Sequence, residues 1–213
     1  METLHQSLLV VHILSGAAAL IGGALAMTAR KGGGTHRIAG RVFFYGMLGV
    51  SFTAVPMTLI HPSTFLLLIA GFSLYQVLNG ERALRNKAQR PQWKDWTITA
   101  LGAISGVAML TTGNVVLMVF GGIAAVNVTV DLRTYVSVLR GRRVPGNTWL
   151  RKHIGHMMGG YIAASTAFLV QNASGLGPWW LVWLAPTFIG VPLLVMWTRR
   201  FTRRPPAVTA QNG

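Results

Sequence analysis

Apolar runs of 18 or more residues recur along almost the whole chain, more apolar helix than a soluble fold of this size can hide. With 52% hydrophobic and only 11% charged residues in 213, the polar complement is too small to coat a globular core. Seven spans are expected, at residues 4–29, 42–60, 64–84, 96–112, 115–135, 153–170 and 179–197. Between the fourth and fifth stands only Thr111-Thr112-Gly113-Asn114. Merging them leaves about 40 residues, far too long for one crossing. The first run has no basic flank and no small-residue cleavage site, so it reads as a retained helix and not a signal peptide. The expected class is therefore all-α: a polytopic membrane protein with one seven-helix domain over residues 1–204 and a disordered cytoplasmic tail over 205–213.

Every lysine and arginine falls at one side of that arrangement. Arg30, Lys31, Arg37 and Arg41 flank the first connection, and Arg82, Arg85, Lys87, Arg90 and Lys94 flank the third. Arg133, Arg140, Arg142, Arg143, Arg151 and Lys152 surround the fifth, and Arg199, Arg200, Arg203 and Arg204 follow the last span. The other side carries none. By the positive-inside rule, the N-terminus lies outside and the C-terminus in the cytoplasm. The net charge of +15 is then explained by topology and by anionic inner-leaflet lipids, without nucleic acid. Tryptophans agree: Trp93, Trp96, Trp149 and Trp197 fall at the inner interface, and Trp179, Trp180 and Trp183 at the outer one.

A histidine followed four residues later by glycine occurs three times, at His12/Gly16, His36/Gly40 and His156/Gly160. The first and third copies continue into strips of small residues, Ala19 and Gly23 in one, Ala163 and Ala167 in the other. Offsets of four, seven and eleven fall within about 40° on a helix. Such a strip either brings a neighbouring helix close or leaves room for something flat beside an imidazole. Histidine inside a membrane is costly without a partner, which makes each of these a candidate site.

Absence of cysteine excludes thiolate zinc sites, iron–sulfur clusters and disulfides. Neutral imidazole remains as a ligand for haem iron, zinc or copper. A b-type haem needs two facing imidazoles, a slot of small residues and cations near its propionates. On the inner side, His36 with His156 (or His153), Gly40 with Gly159, Gly160 and Ala163, and Arg37, Arg41, Arg151 and Lys152 meet that description. His12 with His61 would form an outer pair for a second haem, without a cation. The alternative is zinc held by His36, His153 and His156, with Asp131 as ligand or base, in an intramembrane lipid hydrolase. Copper enters through Met157 or Met158 beside His156. A third reading is a small transporter or sensor in which histidines relay protons. Asp131 near Arg133, and Glu81 beside Arg82, also fit simple interfacial ion pairs.

The segment Lys31-Gly-Gly-Gly-Thr-His36-Arg37-Ile-Ala-Gly40-Arg41, with a second segment from His153 to Tyr161, resembles the signature of a group of bacterial membrane proteins of unassigned activity. More distantly, histidines near both faces resemble the two-haem b561-type cytochromes, although His61 ends a helix and His36 begins one. The resemblance implies a multi-pass protein of the bacterial inner membrane. The function expected is electron transfer through one haem b, or two, with a quinone. The expected partners are that quinone and membrane lipids, with a homo-oligomer left open.

Overall fold

The computed structural model describes residues 2–173 and 177–202, and the expected tail over 205–213 lies outside them. Among the described residues the chain is all-helical, with seven helices and no strand. They are α1 (Glu2–Thr28), α2 (Gly34–Ile60), α3 (Thr64–Arg85), α4 (Trp93–Leu110), α5 (Val115–Leu139), α6 (Thr148–Asn172) and α7 (Trp179–Thr202). Four, α1, α2, α5 and α7, are long and apolar enough to cross a membrane. The other three carry more polar residues, and α3 turns most of these inward. It packs against α2, α4, α5 and α6 and buries Tyr75, Gln76 and Asn79. A helix surrounded by protein can carry such groups, because its partners are side chains and not lipid.

The break between α4 and α5 is made by its residues. Gly113 takes φ +69°, open to glycine at no steric cost. Asn114 then caps α5, its side-chain oxygen accepting from Val116 and Leu117 N–H at 3.0 and 3.2 Å. Helix α2 starts at Gly34, eight residues before the apolar run, so His36 lies in its first turn.

The small-residue strips are helix-packing surfaces. A methyl added at Gly22 would sit 2.8 Å from Phe43 N, and one at Gly46 2.8 Å from the Ser15 carbonyl. The α1 and α2 backbones therefore touch, as small-xxx-small spacing allows. On α6, Gly159 faces the Gln76 amide, and Gly160 lies against Val77 and Phe43. Gly160 does not line a slot for a planar group, contrary to expectation: its missing side chain lets α6 settle on α3.

Helices α3 and α4 are pinned at one end by a two-pronged ion pair. Arg82 Nε and Nη2 donate to Asp95 at 2.8 and 3.0 Å, and Asp95 also accepts from the Gln92 N–H in a capping box. Burial pushes the Asp95 carboxyl up. The Arg82 bonds, the Gln92 N–H and the Asn86 amide outweigh it and hold the group below the usual carboxylate value. A depressed folded value means that this stabilisation is complete above about pH 4, where the unfolded carboxyl ionises, and fades as pH falls through the folded value. Asp95→Asn is expected to cost about 1–3 kcal/mol at neutral pH. That difference narrows in acid, which unfolding in detergent across a pH series will measure.

Candidate functional site

His36 stands where α1 hands over to α2. Its Nδ1 lies 2.9 Å from the carbonyl of Ala26 in the last turn of α1, where carbonyls lack helical partners. A carbonyl only accepts, so Nδ1 carries a proton, and in the neutral ring Nε2 keeps its lone pair. His153, in the second turn of α6, repeats the arrangement, with Nδ1 3.0 Å from the Gly80 carbonyl on α3. A side chain at Gly80 would crowd α6, since an added methyl would lie 3.2 Å from the His156 Cβ. The His36 and His153 ring centres are 6.5 Å apart, with planes at 80°.

Both rings line a cavity of about 810 Å³, open on one side and walled by α1, α2, α3, α6 and α7. Gly40 forms part of its wall, and a side chain there would meet nothing within 4 Å. Arg37, Arg41, Lys31 and Lys87 bring positive charge to it. Its one acid, Glu81, is engaged by Arg85 and not by the neighbouring Arg82. Lys31 donates to the Ala26 and Met27 carbonyls and stacks over Trp197, and burial lowers its ammonium below the usual lysine value.

His156 belongs elsewhere. It is 4% exposed and points between α3 and α5, with Nδ1 2.6 Å from Gln76 Oε1 and Nε2 4.0 Å from Asp131 Oδ1. It does not line the cavity, so the expected His36–His156 pair is replaced by His36–His153. Three residues along a helix turn about 300°, and that 60° offset sends the two α6 histidines to different neighbours. The three-histidine zinc site is not assembled for the same reason. Among the described residues, no group of three or more histidine, aspartate or glutamate side chains is placed to hold a metal ion.

The outer pair is not formed either. His12 donates through Nδ1 to Thr53 Oγ1 at 2.9 Å, the Thr53 proton being spent on the Gly49 carbonyl. The exposed His61 ring meets His5 edge-on, centres 4.4 Å apart. His5 lies seven residues before His12, about 10 Å along the helix. His61 thus sits a level above His12, and the two do not face one another.

Around His156 lies a polar cluster that the sequence reading did not assemble. Asp131, fully buried, forms an ion pair with the Lys152 ammonium at 2.8 Å and accepts from the Tyr75 hydroxyl at 3.0 Å and from the Asn79 amide. Asp131 therefore pairs with Lys152 and not with Arg133. Lys152 is only 7% exposed and lies over the Tyr135 ring, not at the rim of the cavity. Gln76 links His156 to Asn127. A signal was present: Tyr75/Asn79, Asn127/Asp131 and Lys152/His156 are each one turn apart, which puts each pair on one helix face.

Compared with known proteins, the chain matches no family model, no curated protein and no solved structure.

Proposed function

We propose that this chain is a membrane electron carrier holding one haem b between His36 and His153. The observation that carries this reading is the pair itself. An imidazole nitrogen binds a first-row metal at about 2 Å, and the ring centre lies about 1 Å further back, so rings on opposite sides of one ion have centres about 6 Å apart. The separation of 6.5 Å fits that requirement. Each Nδ1 is spent on a backbone carbonyl, the outer-shell bond that orients a ligating histidine and frees Nε2. Arg37, Lys31 and Lys87 suit two propionates, and Met157, Phe43 and Tyr161 supply an apolar wall. Bound there, a haem supplies a one-electron couple. The chain's own part is to fix the two rings, exclude water and balance the carboxylates.

The setting proposed for this site is a seven-span protein of the bacterial inner membrane, N-terminus outside and C-terminus in the cytoplasm. What supports this setting is that basic connections alternate along the chain with His61–Ser63 and Thr111–Asn114, which carry no lysine or arginine. The cavity then opens near the cytoplasmic face, and a quinone is the natural partner.

A second reading, a histidine proton relay in a small transporter, is favoured by one observation. The buried Asp131–Lys152 ion pair, with His156 Nε2 4.0 Å from the carboxylate, lies in a region where burying charge is expensive. Cofactor content separates these readings. The purified protein is expected to hold about one haem per chain by pyridine haemochrome assay. A colourless protein with stoichiometric zinc supports the hydrolase. Absence of both, with proton flux in vesicles that is lost in His156→Gln, supports the relay.

A further inference from the structure

A second hollow, about 560 Å³, runs along the outside of the α1–α2 pair, where the two backbones meet. Leu14, Ala18, Ile38 and Val42 make its walls, and Arg41 and Tyr45 its polar margin. Leu14 and Ile38 are each 65% exposed, so the groove opens away from the bundle. Both helices are apolar enough to cross a membrane, which turns that opening toward lipid.

Two features mark a ligand site here. Arg41 and Tyr45 line this groove and the His36–His153 cavity alike. Neither side chain has a hydrogen-bond partner among the described residues, although Arg41 lies about 7 Å and Tyr45 about 13 Å along α2 from His36. Both are exposed, Tyr45 at 62%, so on a lipid-facing surface their donors are left for an acceptor that the membrane supplies. What they demand is a molecule with an apolar tail and carbonyl oxygens just beneath the headgroups. We propose that this groove binds a membrane quinone, its tail against Leu14, Ala18 and Val42 and its carbonyls on Tyr45 and Arg41; the proposal rests on the haem reading for its purpose. Phospholipid is the weaker match. Its phosphate stays at the interface, whereas Tyr45 stands a full turn deeper than Arg41. A ring held by these two residues lies directly against the wall of the histidine cavity.

The test uses a photoreactive azidoquinone with a decyl tail, added to the full chain in phosphatidylcholine nanodiscs. Label is expected in peptides containing residues 14–18 and 38–46, displaced by unlabelled decylubiquinone. Tyr45→Phe, which removes one hydrogen bond, is expected to weaken labelling about fivefold. Ala18→Trp, which fills the groove from a half-buried position in its wall, is expected to abolish it. Label that is indifferent to both variants, that falls on other helices, or that phosphatidylglycerol displaces as readily as the quinone overturns the proposal. The Soret band of the same samples separates this test from the haem reading. Labelled protein without a Soret band keeps the quinone groove and loses the haem, and a Soret band without specific label does the reverse.

Discussion

Asp131→Asn is expected to destabilise the protein by about 3–5 kcal/mol, the cost of leaving a buried ion without its counter-charge. The Lys152 ammonium, 7% exposed and 2.8 Å from the carboxylate, pairs with no other acid among the described residues. Asparagine can still accept from Tyr75 and Asn79 through its one oxygen, but its NH2 then faces the Lys152 ammonium, so the loss reports both the missing charge and the missing acceptor. Removing both charges in Asp131→Asn/Lys152→Met is expected to recover much of the stability, because no ion is then stranded in the interior. Thermal unfolding in mild detergent measures both. If the single variant melts with the wild type, the pair does not hold α5 to α6.

The second large effect concerns the cofactor. His36→Ala and His153→Ala should each eliminate bound haem, since each would remove one of the two histidines proposed to hold it. His156→Ala should keep haem at wild-type content while lowering the melting temperature, because it breaks the bond to Gln76 and leaves that amide short of a partner. The contrast matters more than either loss. His153 and His156 are three residues apart on one helix, and only their different neighbours predict opposite outcomes. Equal loss of haem in all three variants would return His156 to the site and place the cavity pair in doubt. Retention in all three would remove the ligand assignment.

The helices were legible because hydropathy runs and turn residues act locally. Thr111–Asn114 divides two helices through Gly113 and Asn114, residues whose conformational preference is visible in the sequence. The candidate site was only partly legible. His36, His153, Arg37, Arg41 and Gly40 do line one cavity. The choice of His156 over His153 failed because a histidine–glycine repeat says nothing of which neighbour each face meets. Gly160 was misread on the same ground: a missing side chain serves helix packing as readily as ligand access, and here Val77 and Phe43 fill the space. The His12–His61 pair failed through depth, since the end of α2 meets the start of α1 and gives His61 to His5. Lys152 was placed at the rim by counting charge along the chain. Its partner Asp131 lies 21 positions away on another helix, a relation that only the packing of α5 and α6 against α3 creates.

Electron paramagnetic resonance of the oxidised, purified protein tests the central claim most directly. Two imidazoles on one ferric ion give a low-spin signal, and ring planes near perpendicular, as at 80° for His36 and His153, make that signal highly anisotropic and not rhombic. A highly anisotropic low-spin signal that disappears in His153→Ala is the predicted result. A high-spin signal alone, or a protein without haem iron, would contradict it.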